Sequence, residues 1–472
     1  MIRCAALACL ALLPGELEGR RPNIIVILTD DQGYGDLGRH GNPVIETPNL
    51  DRLHDESVRF TDFHVSPTCS PTRAALLSGR HEFKVGVTHT IHERERLSLK
   101  ATTVAQVLKS AGYKTGIFGK WHLGDEAEYR PDRRGFDEVF IHGAGGIGQS
   151  YPGSCGDAPK NSYFDPVILH NGTFVKTAGY CTDVFFAQAQ RWVEAAKGTS
   201  PFFCWIATNA PHAPHHVPAR YEQRYLDKGV TGEPAKFLGM VSNIDENVGR
   251  LLETLRALGL EKDTLVVFMN DNGGTAGTRI HNAGMKGQKG TAHRGGSRGI
   301  SFWRWPGTLA PGAVDALTAH VDLFPTFAAL AGAGLPGGLE GRSLLPLLKD
   351  ATAAWADDRL FVTHVGRWGP GAAPEKFGKC SVRWREYLLV REGPRWGLYD
   401  LKADIGETRD LAGERPEVVE RLVRAYDAWW EQTRPCLDNE EAHKTAPKAN
   451  PFKALYWAQF KGPGPNDAPP PD

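Results

Sequence analysis

The sequence predicts an α/β fold with a large, mainly parallel sheet flanked by helices and a smaller C-terminal α+β domain. Two continuous apolar runs, at residues 23–29 and 265–269, are typical of strands that are covered on both faces. Segments with helical spacing of apolar residues alternate with such runs, which favours a parallel sheet with helices on both faces. After about Thr363 the apolar segments become shorter, a pattern that favours antiparallel strands.

Each element follows from a local pattern. Gly112 is placed to end the first of the predicted helices, and the β-branched and aromatic runs mark the strands. The predicted elements are strands over 23–29, 113–118, 201–207, 265–269, 384–390 and 396–399, and helices over 103–111, 183–197, 237–258 and 416–433. From Lys444 onward the chain is rich in Pro, Asn and Lys, which predicts an extended or loose segment.

These elements suggest four parts of the chain. We predict a signal peptide over residues 1–20, a catalytic domain over 21–363, a C-terminal subdomain over 364–443 and a Pro-rich tail over 444–472. The 472 residues carry 55 basic and 55 acidic side chains, so the formal charge is zero. A balanced charge argues against a protein whose main work is to wrap nucleic acid, and against steering of ligands by net charge.

The N-terminus predicts export. Arg3 precedes an apolar run over residues 4–13, and this order resembles a short signal peptide. No later apolar run approaches the roughly 20 residues that a membrane span requires. We therefore expect a periplasmic or secreted protein, or a lysosomal-type one in a eukaryotic host, with no transmembrane span.

Six of the eight cysteines lie beyond the predicted leader. Two pairs, Cys155 with Cys181 and Cys380 with Cys436, are candidate disulfides in an exported protein. The spacings do not resemble a zinc site, which needs close Cys or His pairs.

Polar residues follow each of four buried strands. They are, in strand order, Asp30 and Asp31, Lys120 and His122, Asn209 and His212, and Asp271 and Asn272. A polar turn after a single strand is common. Four together indicate one shared pocket, because ligands of parallel α/β sheets bind beyond the carboxyl ends of the strands.

The residue types indicate a divalent cation beside an anion. Asp30, Asp31, Asp271 and Asn272 offer hard oxygen donors, which suit Ca²⁺ or Mg²⁺. Three carboxylates in one pocket would otherwise repel one another, and a cation removes that conflict. Positive or proton-donating groups complete the set: Lys120, His122, His212 and Lys289. Such a site suits a sulfate or phosphate group.

Cys69 has two interpretations on local physics. Pro71 favours the first turn of a helix, which puts Cys69 at or just before a helix N-terminus, with Arg73 one turn further. Helix N-termini attract anions, so Cys69 fits a reactive thiolate. A buried structural thiol fits the same position.

The segment 69–80, Cys-Ser-Pro-Thr-Arg followed by Ala-Ala-Leu-Leu-Ser-Gly-Arg, resembles the signature of the formylglycine-dependent sulfatases. Further segments resemble blocks of that family in the same order: residues 29–36, 47–51, 119–124, 135–137, 209–212, 270–274, 289–290 and 398–411. The resemblance covers about residues 22–435 and implies an alkaline-phosphatase-like fold. It also implies that a separate formylglycine-generating enzyme oxidises Cys69 to formylglycine.

The resemblance implies a role for each site residue. Asp30, Asp31, Asp271 and Asn272 would hold one Ca²⁺, which residue 69 also contacts. A hydroxyl of the hydrated aldehyde made from Cys69 would attack sulfur, with Arg73 and Lys120 orienting the hydrate. His122 would deprotonate the second hydroxyl, so that the sulfate ester on residue 69 collapses and releases sulfate. His212 and Lys289 would contact the sulfate and protonate the leaving oxygen.

Two features depart from the family pattern or extend it. Arg294 stands where the family often has an acidic residue, which predicts altered packing or charge behind the site. The glycine-rich segment over residues 143–150 lacks the strand–loop–helix context of a nucleotide-binding loop, so we interpret it as a flexible wall of the pocket.

The expected substrate is a sulfated carbohydrate or an aryl sulfate. Specificity should come from loops over residues 143–165, 215–231 and 276–285, with the C-terminal domain as one wall. Aromatic candidates for stacking on a sugar ring are Tyr151, Trp303, Trp305 and Trp368, although Trp303 and Trp305 fit a core equally well.

Two alternative functions remain. A phosphate or phosphonate monoester hydrolase of the same superfamily would share the fold, although Asn272 after Asp271 departs from the two-zinc phosphatases, which have His there. A non-catalytic carbohydrate-binding protein could retain the fold, but the reactive residues that the family pattern requires are all present.

Overall fold

The computed structural model describes residues 17–355 and 358–462, and the strands of those residues form three sheets. In chain order they are β1 (Asn23–Thr29), β2 (Val58–Phe60), β3 (Phe63–His64), β4 (Lys114–Lys120), β5 (Glu138–His142), β6 (Val167–His170), β7 (Thr173–Lys176), β8 (Phe202–Ala207), β9 (Thr264–Asn270), β10 (Ser301–Arg304), β11 (Gly312–Val314), β12 (Thr318–Ala319), β13 (Leu360–His364), β14 (Cys380–Trp384), β15 (Tyr387–Arg391) and β16 (Gly397–Asp400).

The helices alternate with these strands. They are α1 (Pro48–Asp55), α2 (Cys69–Ser78), α3 (Val104–Ser110), α4 (Cys181–Ala196), α5 (Ala219–Leu226), α6 (Glu233–Ala257), α7 (Arg294–Ser297), α8 (Leu323–Ala331), α9 (Leu345–Lys349), α10 (Pro416–Thr433) and α11 (Pro451–Phe460). No helix of the described residues is long and apolar enough to cross a bilayer.

The ten-stranded sheet has a parallel centre. Its order is β11-β2-β10-β9-β1-β8-β4-β5-β6-β7. The four pairings from β9 through β1, β8 and β4 to β5 are parallel, whereas β10 and β6 pair antiparallel with both of their neighbours. The predicted mainly parallel α/β sheet is confirmed, with antiparallel strands added at its edges.

The sheet is covered on both faces. Alternate residues of β1 point in opposite directions: Ile24 and Val26 pack in one apolar cluster, and Ile25 and Ile27 pack in another. Helices α3 and α8 contribute to the first cluster, and α4 and α6 to the second. This arrangement explains why the strand is apolar throughout, since neither face meets water.

The C-terminal sheet runs β13-β14-β15-β16, and all its pairings are antiparallel. Helix α10 packs on it, where Leu422 and Tyr426 join Val382 and Leu389 in one apolar cluster. The proposed domain boundary after residue 363 falls within β13, which pairs with β14 along its length. The smaller C-terminal α+β unit is therefore present.

Several predicted elements differ from the structure. The single strand predicted over 384–390 is two strands, because the chain turns at Arg385 and Glu386 and pairs Trp384 with Tyr387. Arg385 takes a φ of 50°, a conformation that hairpin turns usually place at Gly or Asn, so this turn has no local sequence signal. Helix α6 begins four residues before the predicted start. The prediction relied on the spacing of apolar residues, and the first turn, with Glu233 and a proline, lacks that spacing.

The segment after Lys444 is not extended throughout. Helix α11 spans Pro451–Phe460, and its Phe452 is buried against Phe174 of β7. Asn450 caps this helix by accepting hydrogen bonds from the backbone N–H groups of Phe452 and Lys453. The prediction of an extended or loose segment is wrong here, since an Asn-Pro start is a local helix signal that composition alone conceals.

The candidate disulfides are absent, because all four cysteines carry free thiols. Cys155 is directed toward the carbonyl of Thr90, whereas Cys181 is buried at the start of α4. Cys380 lies in the core of the C-terminal sheet, and Cys436 follows α10 and hydrogen-bonds within its own turn. Each predicted pair is thus divided between different environments, which sequence spacing could not reveal.

Candidate active site

The predicted polar residues meet at one edge of the large sheet. Strands β9, β1, β8 and β4 are parallel neighbours, so their carboxyl ends share that edge. The side chains that follow these strands are almost entirely buried: Asp30 and Asp31, Lys120 and His122, Asn209, and Asp271 and Asn272. His212 lies beside them with a somewhat more open side chain.

Three ion pairs cross the site. Each joins a carboxylate at the end of β1 or β9 to a cation from another segment, and each is shielded from solvent. They are Lys120 Nζ to Asp30 Oδ2 at 2.6 Å, Lys289 Nζ to Asp31 Oδ1 at 2.5 Å, and Arg73 Nη2 to Asp271 Oδ2 at 2.8 Å. The structure therefore brings together six residues from five separate segments of the sequence.

Cys69 is the first residue of α2, and all ten residues of that helix are buried. Thr68 precedes it with extended backbone angles, as expected just before a helix. Burial acts to raise the pKa of the Cys69 thiol, but the charges of Lys120 and Lys289 outweigh it and lower that pKa below its usual value. The residue at position 69 thus lies in an electropositive pocket at a helix N-terminus.

The carboxylates are arranged as a cation site would require. Asp30 Oδ1 and Asn272 Oδ1 are buried and have no hydrogen-bond partner among the described residues. Ligand atoms of Asp30, Asp31 and His212 all lie within 4.8 Å of one another. Because buried oxygen atoms without partners are costly, these oxygens fit a hard divalent cation such as Ca²⁺.

The acidities of the three carboxylates diverge. Burial raises the pKa of Asp30 to about 7, although Lys120 opposes it, and burial together with Asp30 raises the pKa of Asp271 to about 6. Burial also acts on Asp31, but Lys289 and His212 outweigh it and hold the pKa of that carboxyl well below its usual range. Burial therefore disfavours the charged forms of Asp30 and Asp271, and a bound cation would favour them.

His122 is held as a neutral base. Its Nε2 donates to the backbone carbonyl of Thr90 at 2.7 Å, which leaves Nδ1 without a proton. Nδ1 is buried and has no partner within the part of the chain that the structure describes. Burial and the charge of Lys120 lower the pKa of His122 well below its usual value. The imidazole can accept a proton at Nδ1.

His212 lies between Asp31 and a glycine-rich loop. Its Nδ1 donates to the carbonyl of Ala213, and its Nε2 lies 4.0 Å from Asp31 Oδ2. Burial lowers the pKa of His212 to about 4, against the opposing effect of Asp31. A side chain on Gly146 would begin 3.1 Å from His212 Nδ1, and one on Gly145 would begin 3.0 Å from the His122 ring. The loop over 143–150 thus packs on both imidazoles.

Two site residues take left-handed backbone angles. Asp31 has a φ of 66° and His122 a φ of 60°, in a region that is uncommon for residues other than Gly and in which Asn, Asp and His are enriched. At Gly119, with a φ of 109°, a Cβ would lie 1.9 Å from the carbonyl oxygen of Ala207, so only glycine fits. This close approach of β4 to β8 places Lys120 and His122 at the edge of the sheet, beside the end of β8.

Sequence reasoning missed some residues and misjudged others. Thr90, whose carbonyl fixes the His122 tautomer, comes from a loop with no motif. Trp303, Trp305 and Trp368 are at most 3% exposed, so they belong to the core and not to a sugar platform. Tyr151 remains partly exposed. No sequence pattern distinguishes these aromatic residues, since burial depends on contacts between distant segments.

Arg294 lies behind the site. Its backbone N–H donates to Glu407, and its guanidinium reaches the carbonyl of Leu401 and, at 3.5 Å, Asp62. Among the described residues, Arg294 makes no hydrogen bond to a predicted cation ligand. The positive charge that Arg294 introduces therefore lies where the catalytic domain meets the C-terminal sheet.

Two family models match the chain. The Sulfatase model matches residues 22–333, and the N-sulphoglucosamine sulphohydrolase C-terminal model matches residues 298–427. The chain belongs to the sulfatase family. The sulfatase is 33% identical to human arylsulfatase A over 458 residues, which cover 88% of each chain. It is also 33% identical to rat N-acetylgalactosamine-6-sulfatase over 360 residues, which cover 69% of this chain and 66% of the relative.

Solved structures agree with this assignment. The crystal structure of Ps i-CgsB superposes with a TM-score of 0.79 at 28% identity, covering 94% of the sulfatase and 98% of that chain. The phosphonate monoester hydrolase of Agrobacterium radiobacter, at 20% identity and a TM-score of 0.62, shares the fold, with 88% and 96% coverage. The sulfatase therefore has the alkaline-phosphatase-like fold and is a hydrolase of sulfate esters.

Proposed function

We propose that the sulfatase releases sulfate from a sulfated carbohydrate, using a formylglycine made from Cys69 and one Ca²⁺ per chain. The observation that carries the proposal is the position of Cys69 at a buried helix N-terminus, where Lys120 and Lys289 both act on its thiol. A cysteine sulfur could form a sulfur–sulfur ester but would have no second hydroxyl to expel sulfate. The hydrated aldehyde of formylglycine supplies such a pair of hydroxyl groups.

Asp30, Asp31, Asp271 and Asn272 would hold the cation. Two buried oxygens without hydrogen-bond partners among the described residues, Asp30 Oδ1 and Asn272 Oδ1, support this ligand set. A bound Ca²⁺ would supply Lewis acidity toward a sulfate oxygen and toward residue 69. The ion pairs with Lys120, Lys289 and Arg73 would keep the remaining carboxylate oxygens in place.

Residues around position 69 orient the nucleophile and move its proton. Arg73 is fixed by Asp271 and by the carbonyl of Lys120, so its charge faces the base of the pocket. His122 accepts the second hydroxyl proton at Nδ1, since Nε2 is committed to Thr90. This division of the two nitrogens makes His122 the general base of the site.

Lys289 and His212 bind the sulfate group and assist the leaving oxygen. Both lie against Asp31, and Asp31 raises the pKa of Lys289 above its usual value despite burial. Lys289 therefore stays charged and stabilises the anion. His212 is neutral alone, and a sulfate ester next to Nε2 would favour its protonated form, which then donates to the leaving alcohol oxygen.

The names of two relatives support a carbohydrate substrate. One is N-acetylgalactosamine-6-sulfatase, and the structure of Ps i-CgsB is also solved in complex with k-i-k-neocarrahexaose. The loops over residues 143–165, 215–231 and 276–285 would set specificity. The C-terminal unit would add a wall, and this is supported by Arg367, which donates through its backbone to Thr88 and through its side chain to Thr90.

The proposal includes export of the protein and conversion of residue 69 to formylglycine. Residues 1–16 lie outside the described chain, whereas Leu17 is buried and the N–H of Gly19 donates to Ala329. A cleavage after residue 20, as the sequence predicts, would remove those contacts from the mature protein. A formylglycine-generating enzyme would act on residues 69–73 before α2 becomes buried.

The test combines mass spectrometry with a substrate panel. Protein co-expressed with a formylglycine-generating enzyme should show, in the peptide that contains residue 69, the mass change of a thiol converted to an aldehyde. That protein should release sulfate from one or more sulfated saccharides. A matched Cys436→Ala variant should remain active, because Cys436 lies after α10 and outside the site, whereas Cys69→Ala should be inactive.

Three outcomes would overturn the proposal. Full activity with an unmodified Cys69 would exclude formylglycine. Higher turnover of phosphate or phosphonate monoesters than of every sulfate ester would favour the alternative hydrolase. Tight saccharide binding without sulfate release, in protein shown to carry the aldehyde, would indicate a binding protein on this fold.

A further inference from the structure

A second cavity lies between the large sheet and the C-terminal sheet. Its volume is about 520 Å³, and none of its lining residues belongs to the site around Cys69. On one side it is bounded by the segments that follow β2 and β11, at Thr61 and Asp315. On the other side it is bounded by the β14–β15 hairpin and by Lys402. The cavity is therefore formed only when the two parts of the chain pack together.

The lining of this cavity is strongly basic. Six cationic side chains line it: Arg294, Arg298, Arg359, Arg383, Arg385 and Lys402. Three carboxylates line it as well, those of Asp62, Asp315 and Glu386, and Asp322 pairs with Arg359 from behind.

Four of the arginines are buried, which is unusual for that residue. Arg294, Arg298, Arg359 and Arg383 are each at most 9% exposed. Asp62 forms ion pairs with two of them, at 2.9 Å from Arg383 and 3.5 Å from Arg294. A single carboxylate thus has to balance two buried guanidinium groups, in addition to its contact with His64.

The hydrogen bonding of these arginines is also incomplete. Within the described residues, Nε of Arg294, Nη1 of Arg359 and Nε of Arg383 are buried without an acceptor. Burial, together with the charges of Arg298 and Arg383, lowers the pKa of Arg294 to about 10. A buried N–H group without an acceptor is costly, and an anion in the cavity would accept hydrogen bonds from these groups.

We propose that this cavity is a second, non-catalytic binding site for a tetrahedral oxyanion, either free sulfate or phosphate or a sulfate group of a saccharide. Planar guanidinium groups bind tetrahedral oxyanions through paired N–H donors, which explains why arginine predominates over lysine here. The ligand would bridge the two sheets and would hold the C-terminal unit against the catalytic one.

The site is distinct from the one that hydrolyses the ester. Its lining residues include none of the carboxylate and amide ligands proposed for Ca²⁺, and its cations differ from Arg73, Lys120 and Lys289. Arg294 connects the two regions only through the chain, since Lys289 lies five residues before it. Binding in the cavity can therefore be measured apart from turnover.

The experiment first locates the anion and then measures its affinity. Crystals of the full chain soaked in selenate, an analogue of sulfate with an anomalous signal, should show a peak within hydrogen-bond distance of Arg294 and Arg383. Calorimetric titration with selenate at constant ionic strength should detect the same site. Arg294→Gln and Arg383→Gln should each weaken that binding by about tenfold or more, the loss expected for one charge-assisted hydrogen bond.

Lys402→Gln provides a variant with little risk to folding, because Lys402 is exposed at the rim. It should weaken selenate binding severalfold, whereas the matched surface variant Lys197→Gln should not change it. The rate of aryl sulfate hydrolysis at saturating substrate should stay within twofold in Lys402→Gln, which separates this site from the catalytic one.

The source of the oxyanion is decided by comparing ligands. A sulfated saccharide that binds at least tenfold tighter than selenate, and loses that affinity in Lys402→Gln, identifies a saccharide sulfate as the ligand. Equal affinities identify the free oxyanion. A selenate peak only over residue 69, or affinities unchanged in both Lys402→Gln and Arg294→Gln, would overturn the proposal.

Discussion

Nη2 of Arg73 donates a 2.8 Å hydrogen bond to Oδ2 of Asp271, and both side chains are almost completely shielded from solvent. This bond ties the helix that carries Cys69 to the end of β9. Arg73 also reaches the carbonyl of Lys120 at 3.4 Å, so a single guanidinium joins α2, β9 and β4. The position of the proposed nucleophile therefore depends on a buried ion pair.

Removing Arg73 should destabilise the protein and abolish activity. Arg73→Met leaves Asp271 buried beside Asp30 without its partner, and breaking such a pair costs about 3–5 kcal/mol. Urea unfolding should measure that loss. In the double variant with Asp271→Asn the combined loss should be smaller than the sum of the single losses, because the pair is removed together. Additive losses would contradict the coupling.

Calcium should stabilise the sulfatase more strongly at pH 8 than at pH 5. The pKa values of Asp30 and Asp271, raised to about 7 and about 6, mean that a cation displaces protons from these carboxyls at low pH. Without a cation, groups with raised carboxyl pKa values favour the folded state at low pH, and that contribution is lost as the pH rises toward 7. The upward shift in Tm on adding Ca²⁺ should therefore increase between pH 5 and pH 8.

The calcium experiment has a matched control. Asp30→Asn and Asn272→Ala each remove an oxygen ligand or its charge, so the calcium-dependent rise in Tm should shrink at both pH values. Asp350→Asn should leave it unchanged, because Asp350 is exposed and follows α9. A calcium effect that is independent of pH would contradict the assignment of Asp30 and Asp271 as ligands.

Replacing His122 should lower turnover and leave the fold intact. His122→Ala removes the base whose Nδ1 is free, and loss of a general base reduces kcat by roughly 10²–10⁴-fold. In the unsubstituted enzyme, kcat should not fall at the usual imidazole pKa of about 6.5, since burial keeps His122 neutral below that pH. His170→Ala, on β6, should retain kcat. An equal loss in both variants would refute the role of His122.

Asn450 should contribute to stability from the far end of the chain. Its Nδ2 donates to Asp125 Oδ2 and to the carbonyl of Gly153, both at 3.1 Å, and its Oδ1 caps α11. Asn450→Ala should lower the free energy of unfolding by about 1–3 kcal/mol, the cost of a lost cap and an unpaired buried group. Lys448→Ala, close by and outside the helix, should have little effect in the same urea titration.

Reducing agent should not alter the sulfatase. The cysteines beyond the leader that the structure describes all carry free thiols, so no cross-link is available to break. Tm and specific activity should be the same with and without dithiothreitol. A drop in Tm on reduction would indicate that one of the pairs predicted from sequence forms after all.

Local sequence was sufficient to predict the elements that depend on neighbouring residues in the chain. The run Asn23–Thr29 is a buried strand because a continuous apolar segment must be covered on both faces, and Asp30 and Asp31 follow it at the sheet edge. Cys69 begins α2 because Pro71 suits a first helical turn. The motifs that carry the family resemblance likewise lie in short segments that can be read one at a time.

Long-range pairing decided the rest. The His122 tautomer depends on Thr90, the burial of Trp303 and Trp368 depends on packing between distant elements, and the capping of α11 is linked to Asp125 through Asn450. The basic cavity exists only because the β14–β15 hairpin faces the ends of β2 and β11. The net charge of zero does not reveal that acidic and basic side chains cluster in different places, because the interaction of two charges depends on the distance between them in the folded chain. The sequence by itself determined the sulfatase family and the main strands and predicted a set of site residues. The tertiary structure decided which nitrogen, carboxylate oxygen or guanidinium of that set has no hydrogen-bond partner, because such partners come from distant segments.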